Sequence, residues 1–465
     1  PKMNLKFHFR LLIDGKMERL ILVLWRLRRF EHFAKKEILY WKEAWRMISL
    51  ANVSTNSIAI DDEWNFGNDD EYLMHTLHAY PAKFPAFIAS KAFDYAEKEG
   101  VNVECVSDIF CGCGTVALEA KIHGKNFWGC DINPVATLIA KTKSATYNVK
   151  TVEKYYELIR KILQKIDVSQ NVYIDANERL KYWFKENSYI ELLKIKMAID
   201  MCVPNGKYKT AFLCLFSSIL KASSKWLTKS IKPQVDPNKK EANIIKLFDN
   251  QYNKFLRSIK EMEDIPNNSK IEIKNNNFLS IKKLPKVDLV ITSPPYVTSY
   301  EYADLHQLSS LWLGFTDDYR ELRRGSIGSV YNVDDFQINV DALNKVGKKI
   351  VLKLTKNVDS YSKVRSVARY YLDMQNVVKR CSKMLNVGGM AFFVVGDTEY
   401  KGVKILNSEH LIEALKENGF SDIKVAKRKI SKKMLTPYRD NTGKFSSDKT
   451  QRAIYHEELI ISGRM

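Results

Sequence analysis

Two short runs hold the residues whose types and spacing could do chemistry. The first is Asp108-Ile109-Phe110-Cys111-Gly112-Cys113-Gly114-Thr115, which follows a β-branched stretch and opens a helical one. Two glycines one residue apart let a backbone turn tightly and approach a ligand with no Cβ in the way. The free N–H groups at the start of the following helix suit a polar or anionic group. After the next strand candidate, Gly129-Cys130-Asp131-Ile132-Asn133-Pro134 places a carboxylate 17 residues beyond Gly114. In nucleotide-type folds an acid at about that offset holds ribose hydroxyls. The plainer reading is a turn-forming glycine pair and a helix-capping Asp. The second run is Val287–Thr292, an apolar strand that ends in Ser293-Pro294-Pro295-Tyr296. Two prolines fix φ and donate no backbone hydrogen bond, so the chain must leave the sheet there. That makes a rigid cradle of carbonyls and a Ser hydroxyl beside a Tyr ring, at the strand end where ligands bind in open α/β sheets. A proline turn before a core tyrosine is the bland alternative.

Together the two runs resemble the S-adenosylmethionine-dependent DNA methyltransferases that modify exocyclic amino groups. The run Asp108–Thr115 is similar to the family's cofactor motif, with Ile109 where Pro is usual. The run Ser293–Tyr296 is similar to its catalytic motif, in the Ser-first form most often seen in cytosine-N4 enzymes; adenine-N6 enzymes more often carry Asp or Asn. Upstream, His78-Ala79-Tyr80-Pro81-Ala82-Lys83-Phe84-Pro85 resembles the segment flanking the methionine end of the cofactor. Downstream, Leu385-Asn386-Val387-Gly388-Gly389 and Phe392–Asp397 resemble the family's late helix-turn-strand. The resemblance covers roughly 75–145 and 270–465. In many cytosine-N4 enzymes the catalytic motif comes first, whereas here the cofactor motif does.

The resemblance implies S-adenosylmethionine as cofactor, held by Phe84, Pro85, Asp108, Phe110, Gly112, Gly114, Thr115, Asp131 and Asn133, with Asn277 and Phe278 near its adenine. Asp131 takes the ribose hydroxyls. It also implies Ser293, Pro294, Pro295 and Tyr296 as the catalytic set. An exocyclic amino nitrogen is a poor nucleophile because its lone pair is delocalised into the ring. The Ser293 hydroxyl and Pro294 carbonyl can accept its two N–H groups and favour a pyramidal nitrogen, which attacks the sulfonium methyl directly through positioning. The target base leaves the duplex, and Tyr296 is the ring to stack on it. The expectation is a site-specific cytosine-N4 methyltransferase on double-stranded DNA, in a restriction–modification system whose endonuclease acts separately. Adenine N6, an RNA amino group such as one in tRNA, and a catalytically idle DNA-binding protein are the rival readings.

The elements that must position these residues follow from periodicity. Strand candidates are 103–110, 126–132, 270–274, 287–292, 390–395, 422–429 and 457–462; helical stretches cover 116–123, 134–144, 362–385 and 408–418. This predicts a Rossmann-like α/β fold with a seven-stranded, mostly parallel methyltransferase sheet and an antiparallel edge. The gap between the second and third strands is too long for one crossover, so it holds a helical insertion. The domain expectation is a basic helical extension over 1–60, a cofactor half over 70–149, the insertion over 150–268 as a target-recognition candidate, and a catalytic half over 269–465.

Charge points to a polyanion. Lys and Arg number 74 against 54 Asp and Glu, a net charge of +20, which is the footprint of a nucleic-acid binder or a solvated basic surface. Lys225, Lys229 and Lys232, beside Ser223, Ser224 and Trp226, are the candidate DNA contacts in the insertion; Lys432, Lys433 and Arg439 are those of the basic block beginning at Lys427. The seven cysteines form no CxxC pair, so a reducing compartment and no metal site are expected. Glu119 and Lys121 echo a nuclease motif, and His306, Asp304 and Glu301 cluster after the prolines, but neither set has metal spacing. No apolar run reaches 18 residues, so a cytoplasmic chain with no membrane partner is expected.

Overall fold

Short apolar runs bounded by turns become the strands, and their order places the two chemical runs side by side. The computed structural model describes residues 48–49, 55–65, 71–81, 83, 85–265, 268–297, 301–329, 331, 336–357, 361–430, 438–439, 448, 450, 452–453 and 457–465. The expected extension lies outside them up to residue 47; beyond it come a two-residue strand, Ile48–Ser49, and two 3₁₀ turns, Thr55–Ser57 and Asp62–Trp64.

Seven strands carry the sheet: β1 (Cys105–Asp108), β2 (Asn126–Asp131), β3 (Ile271–Asn275), β4 (Val287–Thr292), β5 (Leu385–Val395), β6 (Ser421–Lys429) and β7 (Glu457–Arg464). Their order is β3-β2-β1-β4-β5-β7-β6, and Ile48–Ser49 pairs with the outer side of β6. β3 through β5 run parallel, and β7 is antiparallel to both its neighbours. The antiparallel strand was expected at the edge. It lies inside because Leu459–Ile461 is buried on both faces, which only an interior strand provides.

The longer helices are α1 (Ala86–Lys98), α2 (Thr115–Ile122), α3 (Pro134–Ser144), α4 (Val149–Leu163), α5 (Glu186–Cys202), α6 (Lys207–Ser223), α7 (Ile244–Glu261), α8 (Lys345–Asn357), α9 (Tyr361–Met384) and α10 (Asn407–Glu417). Several start on side-chain caps: Asn133 Oδ1 accepts from Val135 N at 3.0 Å before Pro134, and Asn148 and Asn243 cap α4 and α7 in the same way. Alternation along β5 separates the layers. Phe392 meets Tyr95 of α1 edge-on at 5.7 Å, while Ala391, Phe393 and Val395 join the core of α8, α9 and α10. On the other layer, Leu118, Val135 and Ile139 of α2 and α3 share a second core with Phe212, Phe216 and Phe255 of the insertion. Residues 47–465 form one compact unit, so the insertion extends the α2–α3 layer.

Candidate active site

Strand order reverses between β1 and β4, and there a cleft opens over the C-terminal ends of β1, β2 and β4. Asp108, Phe110, Gly112, Thr115, Asp131, Asn133, Asn277, Phe278, Ser293 and Pro295 line it. Phe84 lies outside the described residues. Pro85 is the residue before α1, and it, Gly114, Pro294 and Tyr296 do not face the cleft.

The two glycines do different work. Gly112 has φ +45° and its N–H donates to Asp131 Oδ2 at 2.8 Å; a Cβ there would stand 3.5 Å from the Tyr80 ring, on the cleft. Gly114, at φ +77°, turns into α2 where a Cβ would lie 2.7 Å from Ala140 Cα. Its bareness serves helix packing, and it does not line the cleft. Cys111 N donates to Cys130 O at 3.0 Å, which ties the loop to β2.

Asp131 Oδ1 accepts from Asn133 N at 2.8 Å. Burial outweighs these two backbone donors and pushes its pKa up to about 6. Asp108 Oδ1 accepts from Thr292 Oγ1 at 2.6 Å and Phe110 N at 3.1 Å, and burial pushes its pKa up to about 7. Asn133 Nδ2 is buried with no hydrogen-bond partner among the described residues. Asn277 caps the Phe278–Ser280 turn through Leu279 N (2.9 Å) and reaches Gly325 O (3.1 Å). Phe278 is buried under the Arg380 guanidinium, 5.3 Å from its ring.

Ser293 Oγ donates to Val394 O at 3.1 Å, so its proton is committed to β5 and its lone pairs are left for a donor in the cleft. Tyr296 turns towards β7. Its hydroxyl donates to Glu458 Oε1 at 2.6 Å, while Glu458 Oε2 lies 3.2 Å from Nη1 of Arg428, a side chain only 2% exposed. The sequence gives no local sign of this pair, because the partners stand on β6 and β7.

Tyr80, from the segment read as flanking the methionine end of the cofactor, lines the cleft; sequence reasoning missed Tyr302 and the loop Gly325–Ile327, which close it from outside the motifs. A signal for that loop was the glycine pair Gly325 and Gly328, both with positive φ. Trp226, expected among DNA contacts, is instead a core residue stacked on Trp183 at 5.0 Å, and Ser223 and Ser224 are buried too. A large indole costs least when shielded, and lysines beside it in sequence do not change that. Lys225 is half-buried beside the Tyr182 ring, whereas Lys229 and Lys232 are exposed. Lys432 and Lys433 lie outside the described residues, and Arg439 sits in a two-residue strand paired with Arg452. The head of that basic block is no surface: Arg428 is buried opposite Glu458, and Lys427, opposite Leu459, is buried with its Nζ 3.9 Å from Glu457.

His306, Asp304 and Glu301 do not converge. His306 stacks on Tyr80 at 4.8 Å, with its pKa held down at about 3 by burial. Asp304 binds Arg323 and Glu301 accepts from Ser329. Glu119 is buried against His75 and Tyr72, and Lys121 donates to Ala145 O and Thr146 Oγ1. Among the described residues no group of three His, Cys, Asp or Glu could hold a metal, and no helix is long and apolar enough to cross a membrane.

With this geometry in place, two family models match the chain. One, described as D12 class N6 adenine-specific DNA methyltransferase, matches residues 90–363, more than half of the chain. The other, described as DNA methylase, matches residues 15–142. Relatives include the type II methyltransferase M.MvaI of Kocuria varians, 24% identical over 407 residues, 81% of this chain and 88% of that protein. M.BsoBI of Geobacillus stearothermophilus is 26% identical over 259 residues, 48% of this chain and 50% of its own. M.AvaI of Nostoc sp. is 22% identical over 382 residues, 72% and 76% respectively.

Proposed function

The chain belongs to the N6-adenine/N4-cytosine family of DNA methyltransferases, and we propose that it methylates the N4 amino group of cytosine at a specific site in double-stranded DNA. The carrying observation is Ser293, whose hydroxyl proton is held by Val394 O while its oxygen faces the cleft as an acceptor. An amino N–H donated to that oxygen brings the nitrogen to the C-terminal end of β4, beside the Gly112 loop and Asp131. The Ser-first motif favours cytosine; the adenine-specific family model favours N6, which is the second reading.

S-adenosylmethionine is the methyl donor and supplies an electrophilic sulfonium methyl when bound. The cleft fits it. The orphaned Asn133 amide and the Asp131 carboxylate offer a donor and an acceptor to a polar ligand, and a Cβ at Gly112 would intrude on the same space. Asp131 holds the ribose hydroxyls, while Ile132 and Phe278 give an apolar wall for a base. Ser293 orients the amino group and Pro294 and Pro295 hold the cradle rigid. The chain works as the modification partner of a separate endonuclease, as the type II names of its relatives suggest.

The test is incubation with methyl-labelled cofactor and unmethylated genomic DNA, with bulk tRNA in parallel, followed by nucleoside mass spectrometry. N4-methylcytosine in the DNA is the expected product. N6-methyladenine would overturn the base assignment, and label confined to tRNA would overturn the DNA reading.

A further inference from the structure

Helix α8 carries Lys345, Lys348, Lys349, Lys353 and Lys356 and no acidic residue. Its buried stripe is Gly347, Ile350, Val351 and Leu354. The opposite face exposes Lys345, Lys349, Lys353 and Lys356 around Leu352, itself 45% exposed. Solvated helix faces usually mix signs, because like charges at i,i+4 weaken a helix. Here Lys345–Lys349 and Lys349–Lys353 are both such pairs. Lys349, Lys353 and Lys356 make no ion pair with any described residue.

The topology places this charge at the cleft. α9 leads directly into β5, which is parallel to β4, so α9 begins at the edge of the sheet where Ser293 emerges. α8 ends four residues earlier in the chain, at that same edge. Aromatic rings are interleaved with the cations. Tyr361, the first residue of α9, is 55% exposed with the Arg365 guanidinium 5.8 Å from its ring. Lys363 stands 5.1 Å from the Tyr400 ring, and it interacts electrostatically with Glu301, five residues beyond Tyr296. Tyr400 ends one strand of the hairpin Thr398–Tyr400/Val403–Ile405, which packs on α8; its turn residues Lys401 and Gly402 both have positive φ and push a further lysine outward.

We propose that the α8–α9 junction, centred on Lys353, Lys356 and Tyr361, grips the phosphate backbone of duplex DNA beside the target nucleotide, on the layer of the sheet opposite the helical insertion. This rests on the DNA methyltransferase reading and adds where the duplex lies. Cations without acids match a polyanion, and exposed rings between them suit sugar and base faces.

The test compares the full chain with Lys353→Ala/Lys356→Ala and, separately, Tyr361→Ala, by anisotropy on a labelled duplex between 50 and 200 mM salt. Each lost phosphate contact removes about 0.9 from the log–log salt slope. The double variant therefore loses about 1.8, and its disadvantage against the unaltered chain shrinks about 12-fold over that fourfold range of salt. Tyr361→Ala weakens binding with the slope unchanged. Cofactor titration and thermal unfolding should match the unaltered chain in both variants. A double variant with the unaltered slope overturns the surface while leaving the methyltransferase reading intact. If the unaltered chain neither binds nor methylates duplex DNA, that reading itself fails. Weakened binding to tRNA alone would also overturn the proposal.

Discussion

Replacing each glycine of the cofactor loop by alanine separates packing from ligand approach. At Gly114 the new methyl would lie 2.7 Å from Cα and Cβ of Ala140, and both are fixed in α3. No side-chain rotation relieves it, so α2 and α3 must separate. Overpacking of that kind costs about 1–3 kcal/mol, and alanine at φ +77° adds about 1–2 kcal/mol for the left-handed conformation. A loss of about 2–5 kcal/mol is a large share of the usual net stability of roughly 5–15 kcal/mol. At Gly112 the nearest atom would be Tyr80 Cε1 at 3.5 Å, an ordinary contact, so only the conformational cost of about 1–2 kcal/mol applies. That methyl stands on the cleft, however, and crowding worth about 1–3 kcal/mol there weakens cofactor binding about 5- to 150-fold. Urea unfolding and calorimetric titration with S-adenosylmethionine, run on both variants, read the two effects. Gly114→Ala as stable as the unaltered chain, or Gly112→Ala with normal cofactor affinity, would refute the division of labour.

Tyr296→Phe removes the hydroxyl that donates to Glu458 but keeps the ring. A hydrogen bond to a charged group contributes about 1.5–3 kcal/mol to stability; its loss loosens the turn that presents Ser293, so kcat should fall moderately with KM for the cofactor unchanged, and Tyr296→Ala, which also removes the ring packed beside Gly396, should fall much further. Equal rates in the two variants would show that the ring has no role of its own. Glu458→Gln should resemble Tyr296→Phe in kcat and also lower stability, because it leaves the buried Arg428 guanidinium uncompensated; unfolding curves alongside steady-state rates check both. Asp131 is an acid whose folded pKa is raised, to about 6. The ligand-free fold therefore holds the proton more tightly than the unfolded chain, and its stability declines as pH rises from about 4 to 6 and is level above. Cofactor binding needs the carboxylate, so affinity should drop as pH falls through about 6; a flat response from pH 5 to 7.5, or one retained in Asp131→Asn, would count against its role. Trp226→Ala should cost about 3–5 kcal/mol of stability and leave the DNA affinity of the folded fraction intact, because the indole is stacked in the core. Selective loss of DNA binding at unchanged stability would restore it as a contact.

The strands were readable because parallel strands covered on both faces read as continuous apolar runs; Val287–Thr292 is buried or nearly so throughout. Asp131 and Ser293 were readable for a related reason. In this topology the chemistry stands at strand ends, so a motif and the strand that presents it are neighbours in sequence. What stayed hidden depends on pairing across the sheet. Lys427 and Arg428 open a run that reads as a basic surface, yet pairing with β7 sets Arg428 opposite Glu458 and Lys427 opposite Leu459, within 3.9 Å of Glu457, and buries all but a trace of both. One register decides this. With Arg428 opposite Glu458, a residue that reads as a phosphate contact becomes the counter-ion of the carboxylate that holds Tyr296. α8 is the reverse case. Its lysines could be placed neither in the core nor at a site by spacing alone, and only the direction of α9 into β5 brings them to the end of the sheet where Ser293 lies. Local composition thus located residues that line the cleft, while the direction and register of strands decided which charges are buried and which are exposed.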